Sequence, residues 1–261
     1  ALGQNIGNMA ELARTTGKAL RPHAKSHKCG EIARLQIAAG ARGIATATLN
    51  EAEAMAVEGI DDILLTSSLA DPQKCRRAAQ LARRVTLSLV VDSPVHVSLL
   101  QTAMRGCERP LSVLVDVDVG QARAGVTSIS QAVSLAQLIA ATPGLHFDGI
   151  QGFAGQAQHI VGYDDRRNAA VTVSALLSEC AEALADAGLP CRAITGSGTG
   201  TSAFDLSGPY TELQVGSYVF LDADYGAILE RNGDTLPFRH SLYVLATVIS
   251  SNRDGQISVD A

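Results

Sequence analysis

Short runs rich in Val, Ile and Leu recur along this chain, spaced so that one helix fits between each pair. They fall at 19–24, Gly43–Thr48, Asp62–Thr66, Val85–Val91, Leu111–Val117, Asp148–Phe153, Arg192–Thr195 and Leu213–Phe220. The intervening segments carry helical signals. Leu2, Ile6, Met9, Leu12 and Ala13 sit at helical spacing over 2–17, with Gly17 as the stop. Further helices are predicted over 31–39, from Leu49 with Asn50 as cap, from Asp71-Pro72, from Ser93-Pro94, over 129–142 and over 165–187. Strands that alternate with helices, several of them continuous apolar runs, require a parallel sheet covered by helices. Eight such units in 261 residues predict an α/β fold of the (β/α)8 barrel type. A doubly wound open sheet is the alternative.

After the eighth run the pattern changes. Leu242–Ile249, a turn at 252–255, and Gln256–Val259 predict a β-hairpin. It reads as the start of a β-domain, so the barrel is assigned to 1–236 and the incomplete β-domain to 237–261. The chain opens on Ala1-Leu2 and stops inside a predicted strand, so it is expected to be a fragment, or processed, at both ends.

Composition excludes several classes. A net charge of −5 gives no basic surface for nucleic acid. No apolar run approaches the ~20 residues that span a membrane. Cys29, Cys75, Cys107, Cys180 and Cys191 are odd in number and lack CxxC spacing. That pattern predicts reduced thiols and a cytoplasmic setting, with no disulfide frame or zinc site.

The residues with chemical potential follow the predicted strands, where a barrel builds its active site. Arg21, His23, Lys25, His27 and Lys28 crowd the end of strand one. On a strand, Arg21, His23 and Lys25 would share a face. Burial and neighbouring cations favour a neutral amine at Lys25, the form that carbonyl condensation needs. A solvated basic loop is the other reading. Thr195-Gly196-Ser197-Gly198-Thr199-Gly200-Thr201 follows strand seven, where barrels bind phosphate. A flexible turn would have the same composition, and no Walker motif is present. A lysine after strand one and a phosphate cradle after strands seven and eight together point to pyridoxal phosphate.

These motifs carry a family resemblance. Arg21–Cys29, Asp116–Gly125, Gln158-His159, Thr195–Gly200 and Tyr210–Tyr218 resemble the D-threonine aldolases. Those enzymes belong to the alanine racemase-like, fold-type III pyridoxal enzymes, together with D-serine dehydratase. The resemblance implies a pyridoxal-phosphate barrel with a β-domain that cleaves D-3-hydroxy amino acids to glycine and an aldehyde. It implies that Lys25 is the lysine linked to the cofactor and that Arg123 contacts its phenolic oxygen. Gln214 matches the position facing the pyridine nitrogen, an arginine in the racemases. A neutral side chain there is expected to tune the ring only mildly. His159 matches the general base on the substrate hydroxyl, although a loop or helix-capping histidine is the alternative. Gly216, Ser217 and Tyr218 join Thr195, Gly196, Ser197, Gly198 and Thr199 in the expected cofactor site, with core packing as the other role for Tyr218. Asp116 and Asp118 either hold Arg123 or end a strand. His96, His146 and His240 are read as ordinary surface or structural histidines.

Phe153-Ala154-Gly155 stands where the aldolases more often have Tyr-His-Gly. The resemblance further implies a homodimer and a divalent cation, Mn²⁺ or Mg²⁺. The cation's ligands are expected beyond Ala261, with none inside this chain. Elimination as in D-serine or 3-hydroxyaspartate dehydratases, racemisation, and a non-catalytic pyridoxal-phosphate carrier are the alternatives.

Overall fold

The computed structural model describes residues 1–261. Eight parallel strands form one sheet in the order β1-β8-β7-β6-β5-β4-β3-β2. They are β1 (Ala19–Leu20), β2 (Ile44–Thr46), β3 (Asp62–Leu65), β4 (Thr86–Val91), β5 (Leu111–Asp116), β6 (Leu145–Gly152), β7 (Ala193–Gly196) and β8 (Glu212–Leu213). The ring closes between β1 and β2 through a His23–Ala45 bridge and the Ala45 N–H donated to Pro22 O at 2.9 Å. Helices α1 (Leu2–Thr16), α2 (Gly30–Ala38), α3 (Leu49–Val57), α4 (Pro72–Leu81), α5 (Pro94–Ala103), α6 (Ile129–Ala141) and α7 (Tyr163–Asp186) cover the outside. Short helices α8 (Ser202–Asp205) and α9 (Ala223–Gly226) follow. No helix is long and apolar enough to cross a membrane.

The period of two along each strand decides what fills the bore. Ile63, Leu65, Leu89, Val91, Val113 and Val115 point outward into the core beneath the helices. Leu64, Val90, Leu114 and Ala193 form a separate cluster, the apolar plug of the bore. The next inward positions are polar: His23, Asp116, Gln151, Thr195 and Gln214 are buried and Thr66 is half-buried. They form the floor of the barrel mouth.

Several expected boundaries move, each for a local reason. β1 is short because Pro22 has no N–H to donate. The chain then enters a 3-10 turn, Ala24–Ser26, capped by His23, whose Nδ1 accepts from the Lys25 N–H. Lys25 therefore does not share a strand face with Arg21, which is drawn into the bore to pair with Asp62 at 2.6 Å and Glu212 at 2.8 Å. α3 is capped by Thr48, not Asn50. Thr48 Oγ1 accepts from Glu51 N, while Glu51 Oε2 accepts from Ala47 N, a reciprocal cap. Asn50 instead accepts from Arg77. β6 begins at Leu145, ahead of the expected Asp148. Its register shifts between the partners Val113 and Leu114, so Asp148 bulges, and Gly149 carries φ +142. A Cβ there would run into the Ala193 carbonyl.

β8 ends at Leu213, far short of Phe220. Gly216 packs so closely on strand one that a Cβ would meet Ser26 Oγ at 2.8 Å and His23 O at 3.0 Å. The chain turns there into a 3-10 segment, Ser217–Val219. The hairpin pairs β9 (Val248–Arg253) with β10 (Gln256–Val259). Leu242–Thr247 lies outside it, and exposes Leu242, Tyr243, Val244 and Leu245. Phe238 still packs on the Tyr218 ring, and Ser241 N donates to Phe220 O at 2.9 Å.

Candidate active site

Lys25 stands on its 3-10 turn with its amine 5.1 Å from the centre of the Phe153 ring. It separates two cavities. The inner one, about 40 Å³, is lined by His23, Thr66, Arg123, Gln151, Phe153 and Gln214 as well as Lys25. The outer one, about 550 Å³, adds Ser26, Ser217, Phe220, Asp222, His240 and Tyr243. Burial pushes the Lys25 amine below its ordinary value, and the Arg123 guanidinium pushes the same way. Glu51 opposes them. His23 is driven down to about 3, by burial first and then by Lys25, His27 and Arg123. It is therefore a neutral ring at ordinary pH, with Nε2 3.2 Å from Thr66 Oγ1.

The loops after β7 and β8 meet beside this turn. Thr199 Oγ1 accepts from the Tyr218 N–H at 2.9 Å. The backbone N–H groups of Gly198, Thr199, Gly216 and Ser217 find no acceptor in the protein. Ser197 is buried in a left-handed conformation, φ +68, with its side chain toward the Asp205 carboxyl. Unpaired donors at this density are costly unless an anion or water takes them. A phosphate ester fits that donor set, and a nearby amine of lowered pKa fits its aldehyde. The residues present therefore fit pyridoxal phosphate.

Of the expected site residues, Lys25, Arg123 and Gln214 line one cavity. Ser197, Gly198, Thr199, Gly216 and Ser217 form the donor-rich loops. Others fall elsewhere. The Tyr218 ring is buried in the core, with its hydroxyl accepting from Gln36 Nε2 at 2.9 Å, so only its main chain belongs to the loop. Thr195 lies in the bore and donates to Glu212 at 3.1 Å. Gly196 O accepts from Gln214 N, below the mouth. His159 is exposed on the β6 loop, its ring 4.5 Å from that of Tyr225, and lines neither cavity with Lys25. Neither Asp116 nor Asp118 pairs with Arg123. Asp116 accepts from Gln151, and Asp118 accepts from the N–H groups of Gly120 and Ala122.

Sequence reasoning overlooked the roles of Thr66, Gln151 and His240. A glutamine inside a buried parallel strand was a legible signal for Gln151. Nothing in the sequence pattern around His240 brings it to Lys25, because the link is made by the fold alone.

Gln158 fastens the β7 loop to the β6 loop. Its Oε1 accepts from the Gly200 and Thr201 N–H groups at 3.0 and 3.3 Å, and its Nε2 donates to Thr201 Oγ1. Thr201 in turn donates to Asp205 at 2.6 Å. Burial pushes the Asp205 carboxyl up to about 6, against the hydrogen bond from Thr201. A carboxyl raised on folding holds its proton where the unfolded chain has already released it. Its contribution to stability is full below about pH 4 and is lost as pH rises through about 6, on the order of 3 kcal/mol. Asp116, also raised to about 6 by burial, adds to the same decline. Asp205→Asn is expected to flatten part of it. Urea midpoints of variant and parent between about pH 4 and pH 7 measure this, and parallel slopes would refute it.

Comparison with known proteins identifies the family of the chain. The family model for the alanine racemase N-terminal domain matches residues 1–224. The chain is 41% identical over 258 residues to a D-threonine aldolase of Arthrobacter sp, covering 98% of this chain and 68% of that protein. It is 34% identical to a D-threo-3-hydroxyaspartate dehydratase of Delftia sp. (strain HT23), covering 99% of this chain and 68% of that one. The crystal structure of D-threonine aldolase from Filomicrobium marinum superposes with a TM-score of 0.96 at 38% identity, covering all of this chain and 70% of that chain. This chain therefore belongs to the alanine racemase N-terminal domain family, and within it is similar to the D-threonine aldolases.

Proposed function

We propose that this protein is a pyridoxal-phosphate-dependent lyase that cleaves D-threonine and related D-3-hydroxy amino acids to glycine and an aldehyde. The observation that carries the proposal is the Lys25 amine, held low by burial and Arg123, beside loops whose main-chain donors are unpaired. The names of the relatives support the substrate class. Bound pyridoxal phosphate supplies an electron sink for the pair left when the Cα–Cβ bond breaks.

The chain's own residues do the rest. Lys25 offers a neutral amine for the covalent link. The N–H groups of Gly198, Thr199, Gly216 and Ser217 hold the phosphate. Arg123 offers a cation to the phenolic oxygen. His159 takes the proton from the substrate's β-hydroxyl, which releases the aldehyde. The ring of Phe153 covers the amine from one side and limits water there. No group of three or more His, Cys, Asp or Glu side chains within residues 1–261 could hold a metal ion.

Product identification tests the proposal. Protein loaded with pyridoxal phosphate, with Mn²⁺ present, is expected to convert D-threonine to glycine and acetaldehyde. 2-Oxobutanoate and ammonia would move it to the dehydratases, which lose the hydroxyl instead of its proton. A stable adduct without either product would overturn the lyase assignment.

A further inference from the structure

The floor of the inner cavity is a hydrogen-bond relay whose direction can be worked out from both ends. Gln151 Nε2 donates to the Thr66 carbonyl at 3.3 Å and to Asp116 Oδ1 at 2.9 Å. A backbone carbonyl only accepts, so the Gln151 amide is fixed whatever the charge on Asp116. Gln151 Oε1 must then accept, and it receives Gln214 Nε2 at 3.0 Å. At the other end, Glu212 is paired with Arg21, and Arg42 approaches it too. Thr195 Oγ1 donates to Glu212 at 3.1 Å, so its single hydrogen is spent and it accepts the second Gln214 N–H at 3.0 Å. Both hydrogens of the Gln214 amide are committed. Its Oε1 receives no hydrogen bond from the protein, although the residue is 97% buried (3% exposed) and lines the cavity with Lys25.

Given the cofactor assignment above, we propose that Gln214 presents a fixed acceptor oxygen to the cofactor's ring nitrogen and so admits the ring in its protonated, cationic form. In pyridoxal phosphate the ring nitrogen lies across the ring from the aldehyde carbon. A ring joined to Lys25 with its phosphate on the β7 and β8 loops would turn that nitrogen toward the cavity floor. An acceptor there bonds only to an N–H, and a neutral pyridine nitrogen facing a carbonyl oxygen would be repelled. The carboxylates of Asp116 and Glu212 at the ends of the relay polarise the amide and strengthen its oxygen as an acceptor. Arg21 offsets part of this at the Glu212 end, while Lys25 and Arg123 lie at the rim and neutral His23 in the floor. The residue that replaces a cationic donor thus reverses the demand on the ring nitrogen. The electron sink becomes stronger than a mild neutral tuning would make it.

The test uses the ring nitrogen itself. Pyridoxal phosphate labelled with ¹⁵N at the ring is bound to the protein, and its nitrogen resonance is recorded without substrate. The parent protein is expected to show the upfield, proton-coupled pyridinium signal. Gln214→Leu, which keeps Lys25 and the donor loops, is expected to show the downfield signal of a neutral pyridine while retaining the visible-absorbing Lys25 adduct. A neutral nitrogen in the parent would overturn the proposal and leave the lyase assignment standing. A pyridinium signal unchanged in Gln214→Leu would overturn the role of Gln214. Failure of any adduct to form would instead overturn the cofactor assignment beneath both.

Discussion

Lys25→Ala is expected to abolish the visible-absorbing pyridoxal-phosphate adduct and to cut lyase activity by at least about 10³-fold. The size of the effect follows from the site. Lys25 lines both cavities at the barrel mouth, and its amine is pushed toward the neutral form by burial and by Arg123. Lys18, half-buried and donating to Gly208 O and Tyr210 O, and exposed Lys28 lie away from both cavities, so no neighbour can substitute. The fold should not suffer. The side chain stands at the mouth of the barrel and not in its core, and its one aromatic contact is the cation–π approach to Phe153, which is worth about 0.5–1 kcal/mol at such a site. Urea unfolding of the variant therefore serves as the control, with a midpoint close to the parent. Lys25→Arg is the sharper comparison, because it keeps a cation over Phe153 but cannot form the adduct. Spectra of both variants after removal of free cofactor decide the matter. An adduct that persists in either would sink the assignment of Lys25.

The architecture was legible because parallel strands buried on both faces leave continuous apolar runs, and the caps at Asp71-Pro72 and Ser93-Pro94 write the helix starts in residue types. What failed was written in three-dimensional contacts. Strand eight looked long because Val215, Tyr218, Val219 and Phe220 are apolar, yet Gly216 must lie against His23 and bends the chain away. Lys25 read as a strand residue until Pro22 and the His23 cap were seen to turn the chain. The site shows the same division. Lys25, Arg123 and the glycine-rich loop announce themselves by type and by position after a strand. Gln151, Thr66 and Glu212 matter only because the bore brings inward positions of β3, β6 and β8 together, and the direction of their hydrogen bonds depends on partners far apart in sequence. Tyr218 shows the converse. Its motif placed it at the cofactor, but its ring is a core residue anchored by Gln36.

His159→Ala is expected to lower kcat by about 10²–10⁴-fold, the range for losing a general base, while leaving the cofactor adduct intact. The separation of the two effects comes from its position. His159 is exposed on the β6 loop, against the Tyr225 ring, and lines neither cavity with Lys25, so cofactor affinity and fold should be unmoved. A base must be unprotonated to accept the hydroxyl proton. His159→Gln, which keeps a polar side chain but no basic nitrogen, is therefore expected to lose kcat to the same extent as His159→Ala. A merely structural histidine would change KM or stability without lowering kcat by that amount. Activity within about threefold of the parent would show that another group takes the proton. The structure then singles out His240, the imidazole that shares the outer cavity with Lys25, beside Asp222. The double comparison is informative because the two histidines approach the mouth from opposite sources, one from the β6 loop and one from the segment that leaves the barrel. A loss of kcat of that size, with the cofactor adduct intact, in only one of the variants His159→Ala and His240→Ala assigns the base to that side of the mouth.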